Sequence, residues 1–143
     1  MTWQKCLPNL EDQAKSALDI ILPELNPVDL ALLKKRSKPV LLKSTILQKE
    51  KTNHADINSN QYSKIIGSAL YSPNYILQVK PQEKPNYFTF IQEATGAIVV
   101  LEMLEDKANF EIVSFNQVRR KSLEQYKRKT KMEDGLFLIT TRK

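Results

Sequence analysis

The strongest constraint on the fold comes from residues 75–115, where apolar side chains recur every two residues. This period is typical of β-strands with one buried face. Only short connectors separate the segments, and a parallel connection would need a crossover of a dozen or more residues, so an antiparallel meander is predicted. The predicted strands are Tyr75–Lys80, Tyr87–Gln92, Ala97–Met103 and Phe110–Phe115.

The chain before this meander follows helical spacing instead, with caps and prolines at the ends of the segments. Val40-Leu41-Leu42 interrupts the pattern and is too short to classify. The predicted helices cover Leu10–Ile21, Pro27–Lys35, Ser44–Glu50 and the segment from Ser59 to the turn at Ser72.

After the meander, Asn116 can cap a strongly basic helix from about Gln117 to Lys131, and Asp134-Gly135 turns into a last strand, Leu136–Thr140. The elements together predict an α+β fold in which N-terminal helices pack on a four- to five-stranded antiparallel sheet, with the basic helix before the last strand. The 143 residues fit one domain, because two separate cores would each be marginal. Within this domain, residues 1–39 form a helical extension and residues 40–143 form the core.

The net charge of +6 lies entirely at the C-terminal end of the chain. Residues 1–114 carry 13 basic and 13 acidic side chains, whereas residues 115–143 carry nine basic and three acidic ones. A patch of this kind is expected on a surface that binds a phosphate backbone. A solvated helix face without a ligand is the alternative interpretation.

The residue inventory excludes several classes of site. With three glycines in total the chain has neither a phosphate-binding loop nor a dinucleotide fingerprint. One cysteine and one histidine cannot build a thiolate and imidazole metal site, so neither a metal nor a cofactor is expected. The lone cysteine cannot form an intrachain disulfide, no apolar run could span a bilayer, and the N-terminus has no apolar signal segment. The expected location is therefore the cytoplasm, without a membrane partner.

Metal-free phosphodiester chemistry remains, and three residues are candidates for it. Cleavage of RNA by its own 2′-hydroxyl needs a base, an acid and cations near the phosphorane. His54 is the best candidate for acid–base chemistry, Ser114 offers a hydroxyl where a strand meets the basic helix, and Arg119 can hold a phosphate. An exposed histidine and a serine bonded to backbone are the ordinary structural alternatives.

Other residues are candidates for holding the nucleic acid. Helical spacing places Arg119 and Tyr126 on one face of the basic helix, and Arg120 and Lys127 on another. Tyr87 can stack on a base or be a plain strand residue. The predicted nucleic-acid-binding residues are Lys51, Tyr87, Arg120, Lys121, Tyr126, Lys127 and Arg128.

From about Val40 to Thr140 the chain resembles the phage-associated members of the barnase–EndoU–colicin–RelE nuclease superfamily. The matching segments are, in order, KTNHADI, SPNYILQV, NYFTFI, FEIVSF and DGLFLIT. The resemblance implies a nuclease-like core for residues 40–143 and a metal-independent, phage- or toxin-associated endoribonuclease. His54 and Ser114 fall on the family's histidine and hydroxyl positions, with Arg119 as a phosphate contact.

The implied partners are RNA, with tRNA as one candidate, and a cognate inhibitor protein. Two alternatives to cleavage stay open. One is a protein that binds nucleic acid without catalysis, and the other is a phage accessory or protein-interaction module.

Overall fold

Seven strands and four helices make up the part of the chain that the computed structural model describes, residues 19–53, 62–78, 82–94, 97–132 and 135–139. Their order along the chain is β1 (Ile20–Leu22), α1 (Pro27–Leu33), β2 (Val40–Leu42), α2 (Ser44–Asn53), α3 (Tyr62–Tyr71), β3 (Tyr75–Gln78), β4 (Tyr87–Ala94), β5 (Ala97–Glu105), β6 (Phe110–Val118), α4 (Arg120–Met132) and β7 (Leu136–Ile139).

The strands form one mixed sheet in the order β1-β2-β6-β5-β4-β3-β7. The antiparallel meander β3 to β6 is confirmed, for example by the pairing of Leu101 with both Phe90 and Phe115. The predicted four- to five-stranded antiparallel sheet is wrong, because the sheet has seven strands and β2 pairs parallel with β6, Val40 opposite Phe110. The α+β class holds.

The first strand corrects the end of the predicted helix Leu10–Ile21. Ile20 and Leu22 are buried while Ile21 between them is 60% exposed, which is the alternation of a strand. The strand pairs with β2, whose Leu41 lies opposite Ile21. Three residues are too few to reveal a period of two within a sequence that also fits a helix. Residues 10–18 lie outside the described part of the chain.

The sheet separates two apolar clusters, because neighbouring residues of a strand point to opposite faces. The larger cluster joins the sheet to α1, α2 and α3 and contains Phe88, Phe90, Phe110 and Phe115, each at most 1% exposed. The smaller cluster lies on the other face and includes Ile91 and Val100 of the sheet with Leu123 of α4. Helices thus cover both faces of the sheet.

The basic helix begins later than the sequence predicts. Strand β6 continues past Phe115 because Asn116 and Val118 pair with residues of β5, so Asn116 is not a helix cap. Helix α4 then runs from Arg120 to Met132 and packs on β3 and β7. The part of this face formed by β5, β6 and β2 extends beyond the helix, and Leu104 on it is 41% exposed.

A glycine joins α4 to β7. The Gly135 N–H donates to the carbonyl oxygen of Thr130 at 2.7 Å. A β-carbon on this residue would lie 2.5 Å from the carbonyl oxygen of Gln78 and 2.8 Å from the Thr130 methyl group. The close approach requires glycine, and it fixes the end of α4 against β3.

Within the described residues, none of the helices is long and apolar enough to cross a membrane.

Candidate nucleic-acid interface

The cations at the inner edges of α4 contact the sheet. Arg120 forms an ion pair with Glu93, which also accepts a hydrogen bond from the Tyr75 hydroxyl at 3.1 Å. The Lys127 ammonium group lies 4.3 Å from the centroid of the Tyr75 ring, within the range of a cation–π contact. Two of the predicted nucleic-acid-binding residues therefore have partners inside the molecule.

The other basic side chains of α4, and the arginine just before the helix, face solvent. Between the residues that the structure describes, no ion pair joins any of them to an acidic side chain. At about 100° per residue, the side of α4 opposite Leu123 is the outward one. These exposed cations are Arg119, just before the helix, and Lys121, Arg128, Lys129 and Lys131 within it.

A groove of about 280 Å³ lies between α4 and the end of β6. It is lined by Val118, Gln125, Tyr126 and Lys129. The Tyr126 ring packs against the smaller apolar cluster and is half-buried. Burial, and to a lesser degree the charge of Glu102, raises the pKa of the Tyr126 phenol, so the group is neutral at physiological pH. The groove therefore combines apolar walls with a polar rim.

Ser114 lies on the same face of the sheet as α4. Its hydroxyl donates to Oε1 of Glu102, directly across the strand pair, at 3.2 Å. A carboxylate at this position repels a phosphate. The predicted role of Ser114 at a scissile phosphate thus meets an unfavourable charge, while a role in orienting Glu102 follows from the hydrogen bond itself.

His54 lies outside the described residues. The helices that flank it in the chain, α2 and α3, pack on the sheet face opposite Ser114 and α4. Lys51 belongs to the last turn of α2. The catalytic role of His54, Ser114 and Arg119 therefore stays a prediction.

Tyr87 lies on the α4 side of the sheet but away from the helix. It pairs with Leu104 across the sheet, and the Lys84 ammonium group is 5.6 Å from the centroid of its ring. Tyr87 is partly exposed, so it belongs to the open part of this face and not to the groove.

Two residues of the groove, Gln125 and Lys129, were not singled out from the sequence. They are four residues apart, and this spacing in the sequence could have indicated that they share one face of the helix. The opposite wall is Val118, and it is in place only because β6 extends beyond its predicted end.

A second charged cluster lies at the other end of β5. Glu105, 8% exposed, receives Lys35 at 3.0 Å and Lys38 at 2.8 Å. Burial acts to raise the pKa of Glu105, but the hydrogen bonds from the two lysines outweigh it and hold that pKa below 4.5. Among the described residues there is no group of three or more acidic, cysteine or histidine side chains that could hold a metal ion.

The family model of the large polyvalent protein-associated domain 13 matches residues 6–130. No curated protein and no solved structure matches the chain. The match supports the broader part of the sequence resemblance, a phage- or polyvalent-protein-associated module, and it is not a match to the barnase–EndoU–colicin–RelE nucleases. Because the matched region covers most of the sequence, the chain belongs to the large polyvalent protein-associated domain 13 family.

Proposed function

We propose that this domain binds nucleic acid without cleaving it, through the outward face of α4 formed by Lys121, Arg128 and Lys129. One observation carries the proposal. These cations are exposed and have no acidic partner among the described residues, whereas Arg120 on the same helix is paired with Glu93.

Exposed cations that have no described acidic partner gain the most binding free energy from contact with phosphate groups. Each phosphate that they neutralise releases condensed counterions, which favours binding at low salt. Lys121 and Arg128 are seven residues apart, which corresponds to about 10 Å along a helix axis. The face can therefore follow a short stretch of backbone.

Binding without cleavage fits the surroundings of Ser114 better than a nuclease does. The Ser114 hydroxyl is bonded to the Glu102 carboxylate, which repels a phosphate at this point. A metal-independent nuclease would need cations, and not a carboxylate, around the scissile phosphate. Endoribonuclease activity is thus the second hypothesis, supported by the sequence resemblance alone.

Charge reversal on α4 tests the proposal. The affinity of a labelled single-stranded RNA is measured by fluorescence anisotropy at several salt concentrations for the double variant Lys121→Glu/Arg128→Glu. The control Arg36→Glu/Lys107→Glu makes the same change in net charge at exposed positions outside α4. The α4 variant should bind at least about tenfold more weakly, and the slope of log affinity against log salt should fall by about 1.4 for two lost phosphate contacts.

Equal losses in the two double variants, or no RNA binding by the unmodified protein at low salt, would contradict the proposal. Cleavage is tested separately by incubating RNA with the protein in EDTA. The proposal expects intact RNA. Products ending in a 2′,3′-cyclic phosphate that disappear in His54→Ala would instead establish the nuclease.

A further inference from the structure

We infer that the groove between α4 and β6 receives an unstacked nucleobase, so that the ligand of this domain is a single strand and not a duplex. The inference rests on the proposed function, because the outward cations of α4 would hold the backbone of the same strand.

The walls of the groove suit a flat, mostly apolar group with a polar edge. Val118 and the Tyr126 ring are partly buried, while Gln125 and Lys129 on the rim are exposed. The volume of about 280 Å³ is slightly below the roughly 300–1,000 Å³ of ordinary ligand sites, so the groove suits a small group such as a single base.

Tyr126 is placed to stack on a base. Its ring packs against the apolar cluster under α4, so it is held in position before a ligand arrives. Binding then costs little side-chain entropy. Aromatic rings of this kind are the common platform for single-stranded nucleic acids, since every base has a π-face.

Polar groups around the ring can contact the edge of a base. The Gln125 amide on the rim offers both a donor and an acceptor. The Glu102 carboxylate, oriented by the Ser114 hydroxyl, lies on the sheet face that α4 covers. A carboxylate on this face repels phosphate, so it favours a base over backbone beside it.

The positions of the cations determine where the phosphates of the strand lie relative to the groove. Lys129 lies on the rim of the groove, and Lys121 and Arg128 lie on the outward side of the same helix. A strand whose base enters the groove therefore has its phosphates beside these cations. In a duplex the bases are stacked and paired inside the helix, and the groove would stay unused.

The test compares three probes of equal length, about 12 nucleotides, which is within the usual site size for single strands. They are a single-stranded DNA, the corresponding duplex, and an abasic strand that keeps every phosphate and lacks the bases. The single strand should bind at least about fivefold more tightly than the abasic strand. The duplex should bind no more tightly than the abasic strand, because its paired bases do not enter the groove.

Tyr126→Leu keeps an apolar side chain on the small cluster and removes the stacking ring. It should lower the affinity for the single strand to that for the abasic strand, while Tyr126→Phe should keep the preference. Tyr126→Phe is the matched control, because it keeps the aromatic ring in the groove. Unchanged binding of the abasic strand by Tyr126→Leu shows that α4 is still in place.

The outcomes separate the two proposals. Equal affinities of the unmodified protein for the single strand and the abasic strand would overturn the base-binding groove and leave the basic face of α4 intact. A preference for the single strand that survives in Tyr126→Leu would also overturn the groove. If neither the three probes nor the single-stranded RNA binds, the proposed function fails, and the groove inference fails with it.

Discussion

Two basic stretches of this chain look alike in sequence and behave differently in the structure. Residues 34–38, between α1 and β2, read KKRSK, and α4 contains the run KRKTK from Lys127 to Lys131. In the first stretch, Lys35 and Lys38 both bind Glu105, and their ammonium groups lie 6.0 and 5.9 Å from the rings of Phe88 and Phe110. In the second, Arg128, Lys129 and Lys131 are exposed.

The difference shows that a run of basic residues does not by itself identify a binding surface. The first stretch closes the end of the sheet around a nearly buried carboxylate, so its charges are already used for stability. The outward cations of α4 have no described acidic partner, so their charges remain for a ligand. The presence of an acidic partner, and not the density of positive charge, distinguishes the two basic stretches.

Loss of Glu105 should produce the largest effect on stability. Glu105→Gln removes the carboxylate that pairs with Lys35 and Lys38 and leaves Lys38 its hydrogen bond to the Asp106 carbonyl. We expect the free energy of unfolding to fall by about 2 kcal/mol. Both lysines are partly exposed, at 30% and 24%, so the cost stays below that of a fully buried pair. Urea denaturation measures the change. Glu124→Gln removes a 55% exposed carboxylate that pairs with Lys127 at 3.9 Å, and it should cost less than about 0.5 kcal/mol. Equal losses would remove the contrast between the two regions.

Lowering the pH should reduce the difference in unfolding free energy between the unmodified protein and Glu105→Gln. The pKa of Glu105 is lower in the folded protein than its ordinary value of 4.5, so its contribution to stability is present above that value and is lost as the pH falls through the folded pKa. The gap in unfolding free energy between the unmodified protein and Glu105→Gln should shrink between about pH 6 and about pH 3. A gap that stays constant over this range would mean that the carboxylate is not stabilised by the lysines.

Within α4, a cation paired with an acidic residue should matter less for RNA binding than a cation with no described acidic partner. Arg128→Gln should weaken RNA binding by about threefold or more, whereas Arg120→Gln, which breaks the pair with Glu93, should change the affinity less. Arg120→Gln should instead lower the free energy of unfolding by less than about 1 kcal/mol, because the Arg120 side chain is 64% exposed. Anisotropy titrations and urea denaturation on both variants measure the two effects. The reverse order of affinities would show that Arg120 contacts the ligand.

The smallest effect should come from Lys34. This residue ends α1 with a φ of 57°, the left-handed conformation that glycine adopts without strain. Lys34→Gly should therefore raise the free energy of unfolding by a few tenths to about 1 kcal/mol. Lys35→Gly is the matched control and should lower stability, because it removes a contact to Glu105. Thermal denaturation distinguishes the two signs.

Local patterns predicted those parts of the fold whose interactions are short in sequence. The start of α1 is confirmed, with the Asn26 side chain accepting from the Val28 N–H at 3.0 Å and Pro27 in the first turn. The meander is confirmed as well, because alternation is visible within each strand and the connectors are short. The outward position of Lys121 and Arg128 follows from helical periodicity once α4 is assigned.

Tertiary structure decided the rest. The parallel pairing of β2 with β6 and the contact of Lys38 with Glu105 join residues about 70 positions apart, and a three-residue strand has no period to display. The wall of the groove at Val118 exists because β6 gains backbone partners on β5, which a local pattern cannot show. The sequence alone determined where the positive charge lies along the chain. Only the packing of the sheet decided which charges are neutralised and which face a ligand, because that depends on acidic residues brought close from distant parts of the chain.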